Sequence, residues 1–146
     1  MNSYRSRNGF TLIEVMIAVA IVAILVVVAF PSYRDSMLKG RRAEAKAALA
    51  RTMQAEERFY TANNVYLAFA STATVPSGFS THSSNSPNFA YSIQAADCGA
   101  TALQCVMVTA TAVQSDPLCG TMTMYSDGTP PTSTPSSSST ASTGCW

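Results

Sequence analysis

After Arg58 the chain contains no lysine and no arginine. All nine cations lie at or before that residue: Arg5, Arg7, Arg34, Lys39, Arg41, Arg42, Lys46, Arg51 and Arg58. From Phe59 to Trp146 the ionisable residues that titrate near neutrality or below are Asp97, Asp116, Asp127 and the chain's single histidine, His82. A segment without cations has no phosphate-neutralising patch of its own, which weighs against nucleic-acid binding through the distal part. No CxxC pair occurs and His82 is not at ligand spacing, so no metal site is expected. There is also no glycine-rich phosphate loop and no G-x-S-x-G. One histidine cannot supply a triad, and three scattered aspartates do not make an acid/base pair. The expectation is a non-enzyme without a cofactor.

Apolar residues, by contrast, are concentrated. Residues 10–30 form an uncharged run but for one acid, Glu14. As a helix at about 1.5 Å per residue it covers roughly the 30 Å hydrocarbon core of a bilayer. The preceding segment, MNSYRSRNG, carries Arg5 and Arg7 and no acid, so the N-terminus is expected in the cytoplasm and the remainder exported. VVVAFPSY offers no A-x-A-like site for ordinary signal cleavage. An intramembrane carboxylate costs on the order of 3 kcal/mol even on lenient scales, so Glu14 either stays wet near the interface or meets a partner. The four cysteines, Cys98, Cys105, Cys119 and Cys145, all lie in the exported part, where an even count reads as disulfides.

The stretch Gly9-Phe10-Thr11-Leu12-Ile13-Glu14 closely resembles the prepilin signature of type IV pilins and pseudopilins. In that family a short basic leader ends in glycine, the first mature residue is usually phenylalanine and the fifth is glutamate. Glu14 is fifth from Phe10, and Pro31 falls where pilins commonly carry proline. The resemblance implies cleavage between Gly9 and Phe10 by a prepilin peptidase, followed by methylation of the new amine. It also implies an inner-membrane assembly platform and other pilin copies as partners, the Phe10 amine of one subunit pairing with Glu14 of its neighbour.

Downstream, Pro31 is expected to weaken the helix around Val27 to Phe30, as a break or as a kink. Residues 32–60 read as an amphipathic helix with Leu38, Ala45, Leu49, Met53 and Tyr60 inward and Arg41, Arg42, Lys46, Gln54 and Glu57 outward. The cluster Lys39, Arg41, Arg42 and Lys46 reads as a solvated face, or as one that meets acids such as Asp35 or Glu44 on adjacent subunits. Residues 61–88 have loop composition, and His82 is read there as solvated, with no role. Three strands follow, with Phe89, Tyr91 and Ile93, then Val106, Val108 and Ala110, then Met122 and Met124 on single faces. Residues 97–102 read as a hairpin connection closed by Cys98 and Cys105. Residues 129–144, TPPTSTPSSSSTASTG, are low-complexity and cannot bury a core, but Cys145 ties them down. They read as a plain spacer or an O-glycosylated surface loop. Pairing Cys119 with Cys145 leaves Cys98 with Cys105, one of three connectivities.

The arrangement Asp116, Cys119-Gly120, Gly128 and Cys145-Trp146 resembles the C-terminal disulfide-bounded region of PilE-like type IVa pilins. The expected fold class is therefore α+β, the pilin fold: a long N-terminal helical spine laid against an antiparallel sheet head with a C-terminal disulfide-bounded loop. Its divisions are a leader 1–9, a transmembrane and filament-core helix 10–31, an amphipathic helix 32–60, an αβ-loop 61–88 and a sheet head 89–146. The implied function is a type IV pilus subunit for twitching motility or adhesion, resident in the inner membrane before assembly and extracellular after it. A DNA-receptor pilin for natural transformation and a pseudopilin of type II secretion are the alternatives.

Overall fold

The computed structural model describes residues 9–84, 89–99, 103–138, 140–142 and 144–146. Residues 1–8 of the leader, 85–88 of the loop and 100–102 of the hairpin connection lie outside them. Helix α1 spans Leu12–Asn63, and the chain divides at Met37/Leu38 into two compact units. Thr11 caps the helix start: its Oγ1 accepts from the Glu14 N–H at 3.3 Å. Thr11-Leu12-Ile13-Glu14 thus has the spacing of a capping box, with Glu14 at the third helical position. The helix ends beyond the Tyr60 boundary read from the sequence, where Asn64 takes a left-handed φ of 58° and donates to the Tyr60 carbonyl at 2.7 Å. Pro31 does not break it. Proline removes one N–H, orphaning the Val27 carbonyl, while the flanking turns keep their own bonds.

In the first unit the apolar side chains are open: Phe10, Leu12, Ile13, Ile17, Val22 and Ile24 are all more than half exposed. An exposed apolar surface of this extent is of the kind that marks membrane or protein interaction sites.

The second unit, Leu38–Trp146, holds the core. Here α1 turns Ala45, Ala48, Leu49, Thr52 and Glu56 inward at helical spacing, with Met53 and Tyr60 half-buried beside them. The sheet is an antiparallel meander of four strands in order β1-β2-β3-β4: β1 Tyr91–Asp97, β2 Val106–Ala112, β3 Thr121–Tyr125 and β4 Thr132–Thr134. Ile93 faces Ala110 and Ala110 faces Met122 across the register, which stacks the buried faces of three strands in line. Tyr91, Ile93, Val106, Val108 and Met122 are essentially inaccessible, and burying each such side chain stabilises the unit by about 1.5–3 kcal/mol.

Two segments depart from the sequence reading. The low-complexity stretch supplies β4, with Met122 opposite Ser133. Threonines suit the pleat, and Pro131 and Pro135 sit just outside its three residues, where a missing donor does no harm. The 61–84 segment is also more than loop: Tyr66 and Phe69 enter the core, and bridges Phe69–Ala95 and His82–Ser92 cover the free edge of β1. His82 is accordingly half-buried rather than solvated, its ring centroid 3.8 Å from that of Phe89.

Disulfides join Cys98 to Cys105 and Cys119 to Cys145, with Cα separations of 5.3 and 5.8 Å. Next to the second, Gly120 lies against the backbone of Ser136, and a Cβ built on it would overlap the Ser136 N, Cα and Oγ. Gly120→Ala is expected to lose at least about 1–3 kcal/mol of stability, measured by thermal melting. A melting curve like that of the unsubstituted protein would contradict this close approach.

Candidate functional site

At the N-terminal end, Gly9 and Phe10 precede the helix as exposed, irregular chain. One turn on, the Glu14 carboxylate is exposed and has no hydrogen bond or ion pair among the described residues. Its own backbone N–H is satisfied by Thr11, so the carboxylate stands on an apolar helix with no partner among the described residues.

In the second unit the sequence reading missed the strongest polar centre. Asp116, 2 % exposed, receives Arg42 as a two-pronged pair, Nε to Oδ2 at 2.8 Å and Nη2 to Oδ1 at 2.7 Å. Oδ1 also accepts the Leu118 and Cys119 N–H groups, each at 2.9 Å. The Tyr91 hydroxyl lies 2.9 Å from the Cys119 carbonyl and 3.2 Å from Oδ2. Asp116 exchanges two more bonds with Ser136, backbone N–H to Oγ at 2.9 Å and Ser136 N–H to the Asp116 carbonyl at 3.1 Å. The carboxylate therefore ties the helix, β1 and the Cys119 turn together, and the backbone of the same residue holds the Ser/Thr-rich segment. Burial works against its ionisation, but the bonds from Arg42, Cys119 and Leu118 outweigh it and hold the pKa well below the usual aspartate range. Burial, then the adjacent Asp116 charge, pushes the Tyr91 hydroxyl well above the ordinary tyrosine value. Arg42 is thus not on a solvated face, and Arg41 is also engaged, with Nη1 2.6 Å from Gln114 Oε1. The available signal was Asp-x-x-Cys, an acid placed to cap the next two amides.

Glu56 is the second group missed. It is fully buried; Oε2 accepts from the Leu67 N–H at 2.9 Å, and Oε1 has no partner among the described residues. Burial raises its pKa above the ordinary glutamate value, the Leu67 bond opposes that shift, and the neighbouring Glu57 charge adds to it. A carboxyl with a raised folded pKa contributes stability that is complete below its unfolded value and is lost as pH rises through the folded one. Acidification from pH 7 toward the ordinary glutamate value of about 4.3 is therefore expected to raise the melting temperature, and Glu56→Gln to flatten the rise. An equal rise in both proteins would contradict the assignment.

Among the described residues no cluster of three or more histidine, cysteine or carboxylate side chains could hold a metal. The concavities are open grooves. One, of about 430 Å³, lies between the last turns of α1 and the 76–79 turn, and Arg51, Arg58, Phe59 and Phe79 line it.

Comparison with known proteins bears on both ends. The profile of the family described as "Prokaryotic N-terminal methylation motif" matches residues 4–30. That described as "Type IV minor pilin ComP, DNA uptake sequence receptor" matches residues 31–123. Among curated proteins, the chain is 33% identical over 99 residues to the type IV major pilin protein PilA of Myxococcus xanthus, covering 67% of this chain and 43% of that protein. It is 46% identical over 39 residues to fimbrial protein EcpC of Eikenella corrodens, covering 27% and 26%. The aligned stretches thus span less than half of these relatives. A solved type IV pilin from Shewanella oneidensis aligns with a TM-score of 0.46 and 25% identity over 75% of this chain and 97% of that one. The ComP profile accounts for more than half of the residues and the methylation motif abuts it, so the chain belongs to the type IV pilin family, among the ComP-type minor pilins.

Proposed function

We propose that the protein is a minor subunit of a type IV pilus. It is inserted in the inner membrane with residues 1–9 as a cytoplasmic leader, cut after Gly9, N-methylated on Phe10 and drawn by the assembly platform into a filament. The observation that carries this reading is a carboxylate, Glu14, without a partner among the described residues, on an exposed apolar helix directly after a Gly-Phe junction. In a low-dielectric bundle an unpaired acid is strongly disfavoured, and a cationic amine a few ångströms away reverses the balance. The freed amine of Phe10 in a neighbouring subunit is that cation. The pair then acts as a register mark, because only one axial step brings amine and carboxylate together. The first unit's open apolar side chains bury against other helices at the same step, exchanging lipid contact for helix packing. The test is to shear filaments from cells, digest them and quantify this chain against the most abundant pilin. Substoichiometric presence in the filament fraction is expected; presence in the membrane fraction alone would contradict the reading.

A second reading, DNA capture during uptake, is favoured by one observation, the ComP profile over residues 31–123. The lack of cations after Arg58 does not exclude it, because the compact unit begins at Leu38 and so includes Lys39, Arg41, Arg42, Lys46, Arg51 and Arg58. The pseudopilin alternative lacks such support.

A further inference from the structure

We propose that the outer face of the sheet is a binding site for an uncharged polysaccharide, held by two rows of hydroxyl and amide side chains. The site goes beyond the subunit role and does not depend on DNA capture.

The strand register builds this face. Ile93, Val108, Ala110 and Met122 are fully buried, so the residues that alternate with them turn outward. Ser92 pairs with Thr111, Thr111 with Thr121 and Thr121 with Thr134, which makes one row across all four strands. Gln94, Thr109, Thr123 and Thr132 make a second row by the same pairing. Neighbours in a row are about 5 Å apart and the rows about 7 Å apart, so together they cover roughly 14 by 7 Å. Gln94, Thr111 and Thr132 are exposed, Thr109, Thr121 and Thr134 are half-buried, and Thr123 at the centre is nearly covered. Beyond the second row Met107 pairs with Tyr125, whose half-buried ring adds an aromatic group to the same face.

No position in the two rows carries a charge. Strand propensity alone would be met by valine or isoleucine, and solubility by lysine or glutamate. Six threonines in eight positions supply instead a surface that both donates and accepts hydrogen bonds and is neutral throughout. Most of these groups are uncommitted. The Thr109 and Thr123 hydroxyls lie 3.3 Å apart, and Ser92 Oγ donates to the Thr111 carbonyl at 3.3 Å. Among the described residues, the hydroxyls of Thr111, Thr121, Thr132 and Thr134 and the Gln94 amide have no hydrogen bond.

The first row also opens into a groove of about 530 Å³, lined by Thr111, Thr121, Thr134 and residues 135–138. Sheet faces of small β folds hold oligosaccharides, and a tyrosine ring offers a sugar an apolar body with a polar tip. A polyanion or a polycation finds no counter-charge on the rows. A neutral polyhydroxyl chain matches them, since it is uncharged, donates and accepts, and is long enough to run along a row into the groove.

The experiment uses the full chain in a polyoxyethylene detergent, which has no sugar headgroup to compete. It measures depletion of the protein by cellulose and by amylose particles, with hydroxyethyl cellulose and alginate as neutral and anionic soluble competitors. Retention that hardly changes with salt is expected, with release by hydroxyethyl cellulose and little by alginate. Thr111→Val/Thr121→Val removes two uncommitted hydroxyls and keeps the β-branched shape, and is expected to weaken retention about tenfold or more. Thr72→Val/Thr74→Val makes the same change at two exposed positions outside the sheet and should leave retention unchanged. Gln94→Lys places a charge on the face at an exposed position and should weaken retention about threefold or more. Thermal melting checks folding, and if the Thr111/Thr121 variant is unfolded the Gln94→Lys result decides.

No retention of the unsubstituted chain on either glucan would overturn the site. So would equal retention of the Thr111/Thr121 and Thr72/Thr74 variants, or release by alginate as effective as by hydroxyethyl cellulose. A Thr111/Thr121 variant that changes the sedimenting mass of the chain and not its retention would make the face a contact between copies, and the polysaccharide assignment would fail.

Discussion

Glu14→Leu is expected to reach the inner membrane and lose its leader at normal levels, yet to be missing from filaments. Leucine raises the apolarity of the run, so insertion is favoured, and Gly9 and Phe10 are untouched. What disappears is the only acid in the stretch from Phe10 to Phe30 and with it the partner for a neighbour's amine. The structure adds a competing explanation that the sequence reading did not weigh: Glu14 sits at the third helical position after the Thr11 cap, where a glutamate supports helix initiation. Glu14→Gln separates the two. Glutamine serves a capping box about as well as glutamate but carries no charge. If the charge pair sets the register, Glu14→Gln fails as Glu14→Leu does. Filament incorporation of the glutamine variant at normal levels would leave helix capping as the reason for the acid. The readout is the ratio of this chain in sheared filaments to that in membranes, with circular dichroism as the control for helix content.

The second large effect lies at Asp116. Asp116→Leu is expected to destabilise the second unit by about 3–5 kcal/mol, because it breaks the two-pronged pair with the partly buried Arg42 and removes the acceptor of two turn amides. An ordinary buried ion pair can often be replaced by two apolar residues at little cost. That remedy should fail here. The double variant Arg42→Leu/Asp116→Leu still leaves the Leu118 and Cys119 N–H groups without an acceptor, and unsatisfied buried donors cost about 1–3 kcal/mol each. Denaturant melts of the four proteins in the cycle, with disulfides intact, measure this. Full recovery in the double variant would mean that the turn amides are satisfied some other way. The pH dependence has a definite sign. Asp116 has a depressed folded pKa, so its contribution is complete above the ordinary aspartate value of about 3.9 and is lost only as pH falls through the folded value well below it. The anchor therefore persists as pH falls through the raised value at which Glu56 takes up its proton.

Local features were legible and those created by tertiary contact were not. The Gly9–Glu14 signature, the apolar run and the alternation in Tyr91–Ala95, Val106–Ala110 and Thr121–Met124 depend on short-range order, and the strands form where the alternation lies. Asp116 looked like one of three scattered acids because Arg42, Tyr91 and Ser136, which make it a hub, are distant in sequence. Glu56 was assigned to neither face of the helix, since no periodicity argument buries a carboxyl. The β4 strand was hidden by prolines on both sides of three residues, too short to show alternation. Tyr66 and Phe69 were lost in a Ser/Thr/Asn-rich stretch whose composition reads as loop, although its aromatics seal the edge of β1. Pro31 carried the expectation of a weakened turn, but one missing N–H within a long run of intact bonds is not enough to end a helix.

The central claim is that Glu14 tolerates an apolar setting because a sister subunit presents a newly made amine. The most direct measurement is mass spectrometry of the N-terminal peptide of this chain taken from purified surface filaments. The account predicts a peptide that begins at N-methylated Phe10. Recovery from those filaments of a chain that still carries Met1 through Gly9 would contradict it, because the cation proposed to meet Glu14 would never have been formed.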